Sequence, residues 1–552
     1  MEFNYRYMGN TLVESTAETT AMSFAPDTLR PPVFFSGELA RGVPFREAIS
    51  ALNSTVISDL RFKPKDKEAY KAWAAERDLG DLARLLKVKE GTAQRLREVQ
   101  TELTALRASR DNRMRPFLEA RRKYFEYLYL ANRDAWIVLD PVITVHPDEV
   151  FFECFSRDES AYGRLSCSYE IFHQLGDRAC GTTNIDYSSD LYNEFQKIRS
   201  YKTTRLEVDP AGFGVQTGAG DEYREVKIDL PDSWVRGFLQ VSAAMSLPMK
   251  RFQLHPMDLY NFCQLLRRHK ERTGPRSIRF RLTPGHPVVA VFEPWNFELK
   301  CPRSSYEETE PAEIRVWGRR RLLILERLIP LARNFTVYLA GTGLPSFYVA
   351  DLGEMSFTLG LSGWTANDWS RAGFFDLLAP ADDVDDYSRR QVFGELQQSW
   401  FAEPTAMARQ LGVDRRMIMA SLFTFTQAGR AMYDLAKGVF RVRELHRTPL
   451  PLEQFRFSSP REEEAHRLNA NRCVSVEHSS TDREGNFHLD GTVKERSKTY
   501  KPRLMLDRDE ALKNADCTCG FFVQNKLFKG PCAHMLALRI AFGQKVKRFK
   551  TW

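Results

Sequence analysis

Four soft metal ligands stand in two tight pairs near the C-terminus, inside ADCTCGFFVQNKLFKGPCAHMLALRIAFG (residues 515–543). Cys517 and Cys519 form one pair, Cys532 and His534 the other. Three thiolates and an imidazole surround zinc tetrahedrally and leave no position for water, which is the chemistry of a structural ion and not a catalytic one. A spacing of two suits extended chain, where alternate side chains share a face, turning here at Gly520. Pro531 presets the backbone of a first helical turn, so a helix is predicted over residues 535–542, ended by Gly543. The competing reading, unliganded thiols in a hairpin and short helix, leaves two ligand pairs at matched spacing without a reason.

The order C-x-C, twelve residues, C-x-H resembles the SWIM zinc finger of bacterial proteins. The likeness covers the finger and a strand-rich lead-in from about Arg472, and all four ligand positions hold the family's residue types. The resemblance implies one structural Zn2+ held by Cys517, Cys519, Cys532 and His534. It also implies a module that binds DNA or protein, of the kind carried on larger regulatory or helicase-bearing chains.

The rest of the chain bounds what such a module serves. Its 552 residues leave room for several domains with ample core. The opening residues lack a basic segment followed by an apolar one, and no apolar run reaches membrane-spanning length. The expected location is therefore cytoplasmic, with no membrane partner. Nine cysteines at irregular spacing in so long a chain make no disulfide framework. Cys154, Cys167, Cys180, Cys263 and Cys301 sit in apolar or strand-like contexts and read as buried thiols. The net charge of +8 is lopsided, because residues 441–552 hold 22 Lys and Arg against 14 Asp and Glu and the remainder sums to zero. Positive excess at the zinc-bearing end suits a surface that meets phosphate, or a solvated basic face.

The expected fold is a multi-domain α+β chain. Residues 1–135 read as a helical N-terminal region, with a helix near residues 45–60 and then a helical hairpin carrying a seam of Leu96, Val99, Leu103 and Leu106. The basic run at 113–122 reads as a solvated helix face. Residues 136–380 form a mixed α+β centre, whose strand and helix patterns suggest two related units over 203–300 and 301–365. No phosphate loop, nucleophile elbow or H-E-x-x-H helix occurs in it. His146, His255 and His286 each precede a proline, at element entries, with no evident partner for base catalysis. Asp382, Asp383, Asp385 and Asp386 read as a linker and helix start, not a metal site. Neither enzyme activity nor a small-molecule substrate is expected.

Residues 387–445 give an amphipathic helix, a short helix from Pro404, a third helix capped by Asp414 and stopped by Gly429, and a hairpin turning at Lys437 and Gly438. That order resembles the winged helix-turn-helix fold. The resemblance implies a recognition helix over 414–427 and a wing over 431–443. Arg415, Arg416, Thr424 and Gln427 would then meet phosphate or base edges, with Arg430 and Lys437 bringing wing charge to the backbone. Many winged helices only bridge proteins, and the apolar Met417, Ile418, Met419, Leu422, Phe423 and Phe425 fit that alternative.

Pro449, Pro451 and the acidic Glu462, Glu463 and Glu464 mark a linker before a zinc-finger domain over 466–545. Its strands supply the core that so small a metal module lacks by itself. Lys526 and Lys529 lie between the ligand pairs, and Lys545, Lys547 and Arg548 close the chain with Phe549 and Trp552 among them. Such a tail suits phosphate contact and base stacking. The expected function is binding of DNA or other nucleic acid without catalysis. The alternative is a protein-binding scaffold or adaptor in a bacterial multi-component system built around a partner ATPase.

Overall fold

A computed structural model describes residues 12–15, 19–24, 33–58, 142–184, 195–201, 203–208, 232–271, 274–363, 384–445, 459–495, 498–508 and 512–550. The chain divides into two compact units, residues 1–59 with 139–552, and residues 60–138. The second unit, with the expected helical hairpin and basic run, lies outside the described residues.

An antiparallel eight-stranded sheet forms the middle of the first unit. It comprises β4 (Val142–Val145), β5 (Glu149–Phe155), β6 (Ala161–Ser168), β8 (Gly181–Asn184), β10 (Lys250–Leu254), β15 (Asn334–Leu339), β16 (Ser346–Asp351) and β17 (Met355–Leu361). Their order is β10-β15-β16-β17-β6-β5-β4-β8. Every residue of β5 is buried, so the run EVFFECF is covered on both faces. On one face Phe152, Cys154 and Leu165 join the main core with α1 (Gly42–Val56). On the other, Phe155, Tyr162 and Phe347 pack against Trp234, Val235 and Phe238 of α2 (Asp232–Met245).

One expectation about this region needs correcting. The described residues among the first 58 are strands as well as helix. Strands β1 (Leu12–Ser15), β2 (Thr19–Phe24) and β3 (Phe35–Leu39) share a sheet with β7 (Phe172–Leu175) and β9 (Thr203–Val208), in the order β1-β2-β9-β3-β7. The predicted helix is α1, and Phe45, Ala48, Ile49 and Leu52 sink it into the central core. The stretches 203–300 and 301–365 are joined by strand pairing. Strand β10 pairs with β15, β11 (Ile278–Leu282) pairs both with its hairpin partner β12 (Pro287–Phe292) and with β14 (Ala312–Val316), and β12 pairs with β13 (Phe297–Ser305). Alternating patterns mark strands and tight hairpins, whereas pairing across a long stretch of sequence leaves no local trace.

Each of the three histidines before prolines has a ring nitrogen within hydrogen-bond distance of the backbone. His255 caps α3 (Pro256–Arg268), its Nδ1 accepting from Met257 N at 3.1 Å. His286 Nδ1 lies 2.9 Å from Pro284 O, and buried His146 places Nε2 2.6 Å from Val442 O. Cys154, Cys167, Cys263 and Cys301 are buried free thiols, and Cys180 is half-buried.

After residue 383 come α4 (Asp386–Ser399), β18 (Phe401–Ala402), α5 (Pro404–Leu411), α6 (Arg415–Gln427), β19 (Ala431–Asp434) and β20 (Val439–Val442). The three strands form one sheet, β18-β20-β19, over a core of Val392, Phe393, Leu396, Ile418, Leu422 and Phe440. Asp385 caps α4 through Ser388 N at 2.9 Å, and Asp386 lies in its first turn; Asp382 and Asp383 lie outside the described residues.

The C-terminal part begins with α7 (Pro460–Ala470). Glu462, Glu463 and Glu464 are thus helical and not linker: Ser459 caps the helix, Pro460 opens it, and acids in the first turn face the positive end of the helix dipole. Strands β21 (Val474–Thr481), β22 (Phe487–Glu495), β24 (Arg503–Leu506) and β25 (Leu512–Asp516) follow as a sheet in that order, with β23 (Lys498–Tyr500) on β22. Two short-range expectations differ here as well. The C-x-C pair runs straight into α8 (Gly520–Asn525), and the last helix, α9 (Ala533–Lys550), passes through Gly543 without stopping. Among the described residues no helix is long and apolar enough to cross a membrane.

Candidate metal centre

Three elements converge on the four ligands. Strand β25 delivers Cys517 at its end, Cys519 is the N-cap of α8, and Cys532 and His534 stand at the opening turn of α9. All four are buried, and one ligand atom from each lies within 4.8 Å of the others. Cys517 Sγ is 4.0 Å from His534 Nδ1. A zinc tetrahedron with arms of about 2.3 Å has edges of roughly 3.8 Å, so the cluster has the right size for one ion. The donor set fits as well, because borderline-soft zinc takes thiolate and imidazole together.

The surroundings orient the ligands. His534 Nε2 lies 3.4 Å from Glu495 Oε2 at the end of β22. With its hydrogen on Nε2, facing this carboxylate, the imidazole keeps Nδ1 as the lone-pair donor on the cysteine side. Tyr500 stacks on the imidazole, ring centroids 4.2 Å apart, and limits its rotation. Phe522 N donates to Cys519 Sγ at 3.5 Å. The thiols already feel one another: Cys532 is drawn down, first by its hydrogen bond with Cys517, and that same contact, followed by burial, pushes Cys517 up. A divalent cation replaces the shared protons and lets all three sulfurs ionise.

Helix α7 braces the segment between the ligand pairs. Arg461 Nη1 donates to Lys529 O at 2.6 Å and to Pro531 O at 2.9 Å, and its guanidinium lies 4.9 Å from the Phe521 ring centroid. Sequence reasoning alone misses Glu495, Tyr500 and Arg461. The one usable signal is the S-P-x-E opening of α7, which places Arg461 on a helix.

The residues expected to touch nucleic acid fall into three groups. Lys526 and Lys529 are exposed on the braced segment. Arg415 and Arg416 are exposed at the start of α6, where Arg415 Nε donates to Thr405 Oγ1 at 3.3 Å. Gln427 is half-buried, and Thr424 Oγ1 donates back to Ala420 O at 3.0 Å. Arg430 pairs with Glu444 at 2.9 Å and covers the Phe393 ring. Lys437 pairs with Asp148 at 3.0 Å and with Glu149 at 2.8 Å. Lys545, Lys547 and Arg548 lie on α9, with side chains outside the described residues.

Lys437 belongs to a larger contact. The β19–β20 hairpin sits on the eight-stranded sheet through buried ions: Arg164 to Glu149 at 2.7 Å and to Asp434 at 3.2 Å, Arg441 to Asp434 and Asp148 at 2.8 Å, and Arg443 to Glu153 at 2.9 Å. Helix α6 packs on α2 as well as on α4 and α5. Arg443 lies over the Phe238 ring of α2, 4.9 Å from its centroid.

The family model of the SWIM zinc finger matches residues 503–541, a span that includes all four ligands. No curated protein matches the chain. Among solved structures, the Proliferating Cellular Nuclear Antigen from Entamoeba histolytica is similar at a TM-score of 0.33 and 9% identity, over 60% of this chain and 98% of that one. So low a score carries no argument about fold or function. What the metal centre and the comparison establish together is a zinc-binding SWIM finger at the C-terminal end of a mixed α+β chain.

Proposed function

We propose that this chain binds DNA through its zinc-shaped finger, without catalysis, as a bacterial cytoplasmic protein. The observation that carries it is the exposed segment with Lys526 and Lys529, braced by Arg461 beside the metal centre, in the part of the chain that holds all the excess positive charge. The helix, strand, helix, helix, hairpin order with the sheet β18-β20-β19 supports a winged helix-turn-helix put to internal use. Its wing faces the central sheet. Removing one partner of a buried pair such as Arg443 and Glu153 costs about 3–5 kcal/mol, whereas an exposed ion pair returns about 1 kcal/mol or less. Lys437 and Arg430 are already paired with acids of this chain and carry no part of the proposal, and Arg415 and Arg416 remain as accessory contacts.

The test is a titration of zinc-loaded full chain with DNA at several salt concentrations. Expected is binding at low salt whose logarithm falls linearly with log salt. Replacing Lys526 and Lys529 by Gln should flatten that slope by roughly 1.4 on single strands, about 0.7 for each phosphate no longer neutralised. Absence of binding at low salt would contradict the proposal. The cover that α2 places over α6 favours a second reading, a scaffold or adaptor for a partner ATPase system, in which the finger binds protein.

A further inference from the structure

Between the two ligand pairs the chain leaves a large aromatic ring in water. Phe528 is 97% exposed, and Val523 in the same segment is 60% exposed. The segment around them is held in place. Backbone hydrogen bonds close successive turns, Lys526 N to Phe522 O at 2.8 Å, Phe528 N to Asn525 O at 3.1 Å and Gly530 N to Leu527 O at 2.9 Å. Lys526 adopts a left-handed φ of 48° and Gly530 one of 79°, which bend the chain sharply on either side of Phe528. Arg461 holds the carbonyls of Lys529 and Pro531, and the next residue is the ligand Cys532. The ring is thus presented outward on a backbone that has little left to lose on binding.

We infer that Phe528 stacks on an unpaired base of single-stranded DNA while Lys526 and Lys529 meet the phosphates on either side of it. The inference rests on the nucleic-acid reading above. Charge chooses the occupant: two exposed lysines lie within two positions of the ring, whereas lysine is depleted where an aromatic anchor enters a protein pocket. A duplex already stacks both faces of its bases and must be opened before a side chain can use one. A single strand offers those faces freely, and stacking tolerates any sequence. The reading above takes the strand as DNA, and an RNA strand of the same sequence, which adds 2′-hydroxyls, tests that choice.

The experiment is fluorescence anisotropy of a labelled, mixed-sequence oligodeoxynucleotide with the zinc-loaded full chain, run beside the duplex and the RNA strand of the same sequence. The single DNA strand should bind tightest. Phe528→Ala should weaken it roughly 5- to 100-fold. Phe528→Leu, equally apolar but without a π-face, should fall with it, and Phe528→Trp should keep the affinity. Each variant should retain the zinc of the parent chain, because the ring is exposed and lies outside the finger core. The inference is overturned if the parent chain binds and Phe528→Ala or Phe528→Leu binds equally well, or if duplex or RNA binds as tightly as the DNA strand. A parent chain that binds no nucleic acid at low salt refutes the underlying reading as well, a result that cannot be confused with the others.

Discussion

Glu495 decides which nitrogen of His534 is left for the metal. Its carboxylate lies beside Nε2, and Tyr500 stacks on the ring. Outer partners of this kind typically carry 10- to 100-fold of metal affinity. Glu495→Ala should therefore weaken zinc retention by roughly 10- to 100-fold in competition with a chromophoric chelator, with the four ligands intact. Unchanged retention would mean that the carboxylate does not orient the ring. At this scale the sequence was informative in one direction only. Cys517, Cys519, Cys532 and His534 announce themselves because their spacing is short and their chemistry is shared. Glu495 does not, since it reaches His534 from 39 positions away and nothing local distinguishes it from any acid on a strand.

Elements were legible where a single rule governed them. Alternation marked β11 with β12, and β15, β16 and β17, each pairing antiparallel with its neighbour. Start signals marked α5 and α6, Pro404 opening the first and Asp414 capping the second. The misreadings came where two signals competed. Three successive acids suggested a linker, yet Ser459 and Pro460 in front of them make those acids a helix start. Gly543 suggested a stop, yet a glycine inside a helix costs only about 1 kcal/mol, and the residues after it, Gln544 to Lys547, favour continuation. Strands β1 and β2 leave the least trace, because their place in the sheet depends on β9, far along the chain. The C-x-C pair followed a third course. Cys519 serves as a helix cap as well as a ligand, so the pair lies between β25 and α8 and not within a strand.

Across the whole molecule, buried charge joins the hairpin β19–β20 to the central sheet, and this joint sets a pH dependence. His146 is lowered from 6.5 to about 3, chiefly by burial and then by Arg441 of β20, with Arg164 of β6 adding to it and Asp148 opposing. Asp148 itself falls to about 2, since its hydrogen bond and attraction to Arg441, with Lys437, outweigh burial. Asp434, buried but held by Arg164 and Arg441, also lies well below the usual carboxylate range. All three bind fewer protons folded than unfolded, so each contributes stability that is lost as pH falls. The histidine acts first, between about 6.5 and 3, and the carboxylates below the ordinary aspartate range. Unfolding free energy should drop with a slope of up to about 1.4 kcal/mol per pH unit in the histidine's window. His146→Gln should remove that slope above pH 4.5 or so, and denaturant titrations at several pH values check it. A slope that survives the substitution would place the titrating group elsewhere. None of this joint was readable in advance, because it brings His146 and Val442 together across 296 positions. The zinc centre at the other end was readable, and the functional account stands on it. X-ray absorption at the zinc edge of the purified full chain is the decisive check: expected is one zinc with three sulfurs at about 2.3 Å and one nitrogen at about 2.0–2.1 Å, and fewer than three sulfurs, or an oxygen in the shell, rules this centre out.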